Sequence, residues 1–107
     1  MKDKKKEKAK KDPRPRAVVL SDELWVVLSR KATDAECSRS TLAQQALWRY
    51  LELEPLPEPI IFGESTKRHN LILSTPLWIQ LGHVAIDQER TISSIVEQAL
   101  RRNYFLM

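Results

Sequence analysis

The densest chemistry in the sequence lies at its start, where residues 1–16 hold nine Lys or Arg against three acids. Lys4, Lys5, Lys6, Lys8, Lys10 and Lys11 form a cationic run that Asp12-Pro13-Arg14-Pro15-Arg16 closes. With little to bury, residues 1–15 are expected to be a disordered basic arm. Such an arm either serves only solubility or settles on polyanions, with Lys10, Lys11, Arg14 and Arg16 as candidate phosphate contacts. A second anion chemistry recurs further along, at Ser38-Arg39-Ser40 and at Thr91-Ile92-Ser93. If these triplets open helices, their hydroxyls and free backbone N–H groups form an anion site that needs no particular side chain. The plainer role for Ser38 and Thr91 is capping, which requires no ligand.

Other reactive sets are missing from the sequence. His69 and His83 stand 14 residues apart with no third ligand in view, and Cys37 is the single cysteine. That excludes an internal disulfide and a cysteine cage for metal, and it suits a reducing compartment. No carboxylate pair or nucleophile–base set appears, and with only Gly63 and Gly82 there is no Gly-rich phosphate loop. An enzyme, a metal site and a cofactor are therefore not expected. The formal net charge is +4, but beyond residue 16 the chain carries nine bases and eleven acids, a net of −2. The basic signal is mostly a tail. No apolar run approaches the roughly 18 residues of a membrane span, and Ala17 to Leu20 is too short for a signal-peptide core, so a cytoplasmic protein is expected.

The elements that must position these residues are announced by an internal repeat. Shifting Arg16–Leu53 by 53 positions lays it without a gap over His69–Leu106, with 14 identities in 38 aligned positions. Leu20, Ser21, Leu24, Trp25, Leu28 and Ala32 recur as Leu73, Ser74, Leu77, Trp78, Leu81 and Ala85. Asp34, Glu36, Ser40, Gln45, Ala46, Leu47, Arg49 and Leu53 recur as Asp87, Glu89, Ser93, Gln98, Ala99, Leu100, Arg102 and Leu106. Units of about 40 residues rarely bury enough surface to fold alone, so the two copies are expected to share one core.

Each copy predicts a strand and two helices. Ala17-Val18-Val19-Leu20, closed by Ser21, and His69-Asn70-Leu71-Ile72-Leu73, closed by Ser74, read as short strands. Ser21 and Ser74 then cap a first helix over residues 22–35 and 75–88, with Asp22 and Glu23 at the positive helix start in one copy and Pro76 in the first turn of the other. Its apolar stripe is Leu24, Val27, Leu28, the stem of Lys31 and Ala32, matched by Leu77, Leu81, Val84 and Ala85. Breaks follow at Glu36-Cys37 and Glu89-Arg90, and Ser38 and Thr91 cap a second helix over residues 39–53 and 92–105. Leu42, Ala43, Ala46, Leu47, Tyr50 and Leu51 face the core from it, matched by Ile95, Val96, Ala99, Leu100 and Tyr104. Pro55, Pro57 and Pro59 stop the first copy and stiffen a connector over residues 55–67, in which Ile60-Ile61-Phe62 is apolar enough to lie on the core or add an edge strand.

A single short strand cannot satisfy its own backbone, whereas two paired antiparallel can, with four helices closing over one face of the ribbon. The unit of strand, helix and helix, with Ser-Arg-Ser-x-Leu-x-x-x-Ala-Leu opening the second helix, resembles the ribbon-helix-helix family of prokaryotic DNA-binding proteins. The resemblance covers nearly all of residues 16–106, in two copies. Family members are usually dimers of one unit, so it implies a mainly α pseudo-dimer with a two-stranded antiparallel β-ribbon, made of units 16–54 and 68–107. It also implies a ribbon lying in the DNA major groove, with the second helices' starts holding phosphates. Alternation that turns Val18, Leu20, Leu71 and Leu73 inward leaves Arg68, Asn70 and Ile72 outward from one strand and Pro15, Ala17 and Val19 from the other. Arg68 and Asn70 suit guanine and adenine, whereas Ala17, Val19 and Ile72 offer only apolar contact to thymine methyls. Recognition is thus expected to be lopsided, with Arg16 assisting. Phosphate contact falls to Arg16, Ser38, Arg39, Ser40, Thr91 and Ser93 besides the arm.

The expected function is sequence-preferring binding of double-stranded DNA, as a transcriptional repressor or a plasmid maintenance or transfer factor, with self-association of the tandem unit possible. The alternative is a protein-interaction module using the apolar part of the ribbon or Trp48. Trp25 and Trp78 are expected to pack against the connector or neighbouring helices.

Overall fold

The computed structural model describes residues 13–60, 62 and 67–105. Six elements follow in order: β1 (Arg14–Val19), α1 (Asp22–Asp34), α2 (Arg39–Leu51), β2 (Arg68–Leu73), α3 (Thr75–Asp87) and α4 (Ile92–Tyr104). The protein is thus mainly helical with one two-stranded antiparallel sheet. Among the described residues, no helix is long and apolar enough to cross a membrane.

The helix starts are set by hydroxyls. Ser21, Ser38, Ser74 and Thr91 each sit in extended conformation and accept the N–H of the residue three positions on, Leu24, Thr41, Leu77 and Ser94. Each satisfies one of the four amides that a helix start leaves open. The ends of α1 and α3 match as closely. Glu36 and Glu89 adopt positive φ, 55° and 52°. Beyond each, Cys37 N–H reaches back to the Ala32 carbonyl and Arg90 N–H to that of Ala85, while Glu36 N–H bonds Thr33 and Glu89 N–H bonds Ile86. This paired closure reverses the chain without a proline and holds the two helices of each copy at a fixed angle.

Ribbon register runs from Arg14 opposite Leu73 to Val19 opposite Arg68, with Ala17 facing Asn70 at the middle. Ala17 and Asn70 are themselves counterparts under the 53-residue shift. The inward side of the ribbon carries Val18, Leu71 and Leu73, all buried. They join Leu20, Leu24, Leu28, Ala43, Ala46, Leu47 and Tyr50 with Leu77, Leu81, Ala85, Ile95, Val96, Ala99 and Leu100 in one core. Packing crosses between the copies, since β1 lies on α4, β2 on α2, and α2 on α4. Neither copy has a core of its own.

Four expectations are corrected. The basic arm cannot extend to residue 15, because Arg14 and Pro15 pair with Leu73 and Ile72 in the ribbon. Proline is tolerated there because both strands of a two-stranded sheet are edges. Lys31 is exposed and does not lie on the core stripe, and Ile60 is half exposed at 50%. The connector is instead fastened by Leu53 and Leu56 against the core and by Gln98, whose amide donates to the Glu58 carbonyl at 2.8 Å and accepts from Ile60 N–H at 3.1 Å. α2 ends at Leu51 and α4 at Tyr104, slightly short of the expected 53 and 105. Ile61 lies outside the described residues, and the sheet has two strands among those described.

Candidate functional site

The outward face of the ribbon presents Pro15, Ala17, Arg68, Asn70 and Ile72 exposed and Val19 half-buried. Strand alternation puts them there, because Val18, Leu71 and Leu73 take the opposite face. All of the side-chain donors come from β2.

Two helix starts flank this face, and the contacts that hold them form a matched pair. Ile72 N–H donates to the Ser40 hydroxyl at 2.7 Å, and Val19 N–H donates to the Ser93 hydroxyl at 2.9 Å. Ser40 and Ser93 therefore bolt the first turns of α2 and α4 to opposite ends of the ribbon, a role not read from the sequence. Each hydroxyl still has a proton to give. Ser38 and Thr91 use their oxygens for capping. Among the described residues, the N–H groups of Arg39, Ser40, Ile92 and Ser93 meet no protein acceptor, as expected for first-turn amides. Each helix start so offers two free amides at its positive end, where an anion is favoured.

The cations are placed less simply. Arg14 is exposed at the ribbon's end, and Lys10 and Lys11 lie outside the described residues. Arg39 is exposed but lies over the Trp25 ring at 4.8 Å, with a long contact of 3.4 Å to the Ser29 hydroxyl. Arg16, a candidate phosphate contact, is engaged within the protein. Its position in the alternation turns it to the helical side, where it donates to Thr75 Oγ1 at 2.9 Å and lies 5.3 Å over Trp78. His69, its counterpart, stacks on Trp25 at 4.0 Å. The two tryptophans thus seal the flanks of the ribbon by taking one strand residue each, and both pack against the shared core, with Arg39 of the neighbouring helix lying over Trp25.

Burial lowers the pKa of His69, helped by the charges of Lys67 and Arg39 and opposed by Asp22. Its Nε2 is buried without a partner, as is Nε of Arg16. Burial thus disfavours the cationic form of the His69 ring, which serves as a stacking group on Trp25.

The copies differ at one buried polar cluster. Ser74 N–H is accepted by Gln44 Oε1 at 2.9 Å. On the other side Glu97 takes that place, accepting from Ser21 N–H at 3.0 Å and from the Ser21 hydroxyl at 2.8 Å. Glu97 is 6% exposed, and its charge is met by Arg101, one helical turn on, which also reaches Glu23 at 3.5 Å. Arg101 is in turn covered by the rings of Phe62 and Phe105. This cluster was missed in the sequence. Its only trace was a Glu–Arg pair at i,i+4. Trp48, the counterpart of Arg101, is 36% exposed.

No protein-family model matches the chain, and neither does any curated protein or solved structure.

Proposed function

We propose that the chain is a tandem ribbon-helix-helix protein, a dimer-like unit in one polypeptide, which binds double-stranded DNA with the β1–β2 ribbon in the major groove. The observation that carries this reading is the geometry around the ribbon. Its register centres on Ala17 and Asn70, which are equivalent in the repeat, and its outward face is open. The starts of α2 and α4 are tied to its two ends through Ser40 and Ser93. A major groove about 12 Å wide accepts a two-stranded ribbon, and phosphates on either rim would meet the free first-turn amides. Arg68 and Asn70 supply base-edge donors, whereas Ala17, Val19 and Ile72 supply methyl contact. The biological role that fits is transcriptional repression or plasmid maintenance or transfer.

Selection of bound fragments from a random duplex library tests the reading, followed by fluorescence anisotropy on the selected site and a scrambled one at fixed salt. Asn70→Ala and Arg68→Ala are expected to cost about 1–3 kcal/mol on the selected site and to relax preference at one or two base pairs. Ala17→Ser and Val19→Thr should change little. Absence of binding to any duplex at low salt and micromolar protein would refute it. One observation favours a second reading in that case: Ile72, 47% exposed on the same face, would then serve a protein-interaction module.

A further inference from the structure

A cleft of about 450 Å³ lies between the C-terminal halves of α2 and α4, lined by Ala46, Arg49, Tyr50, Leu53, Ala99, Arg102 and Asn103. No strand residue takes part, so the cleft is separate from the ribbon face. We infer that this cleft is a binding site for a small organic dianion, two carboxylate-like groups on an apolar body, held by Arg49 and Arg102. Such a site would stand whether or not the ribbon binds DNA.

The cleft exists because Ala46 and Ala99, equivalent residues in the repeat, place only methyl groups where α2 and α4 cross. Its volume falls in the range of small-molecule sites, and its lining joins apolar Ala46, Leu53 and Ala99 to a few polar groups, as theirs does. Arg49 and Arg102 are likewise counterparts, so the site carries two identical cations in related positions. Most residues retained in both copies are core leucines and alanines, caps, or helix-end positions. The two arginines are exposed, and among the described residues neither pairs with a carboxylate. A favourable interaction with the helix C-terminus accounts for a base in the last turn. In α4, however, Arg101 already supplies one, committed to Glu97, so Arg102 is left over on the cleft side.

A second feature points to a ligand. Tyr50 lines the cleft at 3% exposure, and its hydroxyl is buried with no hydrogen-bond partner. Burial pushes its pKa up against the opposing charges of Arg90 and Arg102, so the hydroxyl is an unspent donor within reach of the field of Arg102. Guanidinium groups bind carboxylates through paired N–H donors, and two such groups on one small cleft select two anionic ends over one.

The test is titration of the full chain with straight-chain dicarboxylates from succinate to sebacate, followed by calorimetry and by the backbone amide shifts of Ala46, Ala99 and Asn103. Hexanoate and sodium chloride at equal ionic strength serve as controls. One chain length should bind with 1:1 stoichiometry and move those amides, and the controls should not. Arg49→Gln and Arg102→Gln, both at exposed positions, should each weaken binding about tenfold, as expected for one charge-assisted pair, with the circular dichroism unchanged. Failure of every dicarboxylate to move these amides would overturn the inference, as would equal binding of hexanoate or variants that bind like the parent. Binding of an oligoglutamate peptide without binding of any dicarboxylate would also overturn it, by making the cleft a protein-docking surface.

Discussion

The two glutamates at positive φ allow a sharp test of the local architecture. Glu36 at 55° and Glu89 at 52° occupy the left-handed position that follows a helix, where a side chain brings Cβ close to the next carbonyl. That approach costs roughly 1–2 kcal/mol, and glycine escapes it. Glycine also loses more freedom on folding, which takes back roughly 0.5–1 kcal/mol. Neither carboxylate makes an ion pair among the described residues, and each lies at the negative end of its helix, so nothing is forfeited with the side chain. Glu36→Gly or Glu89→Gly should therefore stabilise by about 0.5–1 kcal/mol, and the double variant by about 1–2 kcal/mol, since the two ends share no hydrogen-bond partner. For a domain of this size that raises the midpoint by roughly 4–16 °C. Thermal and urea unfolding, with the urea m-value unchanged, measure it. Glu36→Ala is the control, because alanine removes the charge and keeps Cβ. If alanine stabilised as much as glycine, charge and not backbone conformation would be the cause, and loss of stability on introducing glycine would refute the left-handed assignment.

Further outcomes follow from the buried polar groups and from the helices. Glu97→Ala should destabilise by about 2–4 kcal/mol in urea unfolding, since Ser21 N–H loses its acceptor and part-buried Arg101 its carboxylate. Glu97→Gln should cost clearly less, because Gln44 performs the equivalent task at Ser74. His69 has a folded pKa below its unfolded value of about 6.5, so its contribution is fully present above that pH and is lost as the pH falls through it, the unfolded chain taking up the proton first. His69→Phe, which keeps the stack on Trp25, should flatten the fall in stability between neutral and mildly acidic pH. Gly82→Ala in α3, where an added Cβ meets nothing within 4 Å, should stabilise by about 0.8–1 kcal/mol in the same unfolding experiment. Deleting residues 1–12, which hold seven lysines, should weaken binding to all duplexes alike and flatten the log–log salt dependence by about 0.9 for each phosphate no longer neutralised.

Local rules explain what could be read from the sequence. The four caps were legible because Ser or Thr precedes each amphipathic run, and the inward face of each strand because Val18 and Leu20, and Leu71 and Leu73, stand two residues apart. The 53-residue repeat made the element order legible twice, and the helix breaks at Glu36 and Glu89 fell where the periodicity stopped. The tertiary structure alone decided which side chains remain free for a ligand. Arg16 looked like an available cation until strand pairing turned it against Trp78 and Thr75. Ser40 and Ser93 are read from the sequence only as hydroxyls at helix starts, and the approach of α2 and α4 to the ribbon gives each a backbone amide to accept. Beyond its i,i+4 spacing from Arg101, Glu97 carries no mark in the sequence that sets it apart from the other acids, and packing alone buries it beside Ser21 and Arg101. Periodicity and capping depend on neighbours within about one helical turn, so sequence carries them directly. The partner of a polar group depends on which distant segment the core brings beside it, and Arg16, Ser40, Ser93 and Glu97 each find theirs in the other copy of the repeat.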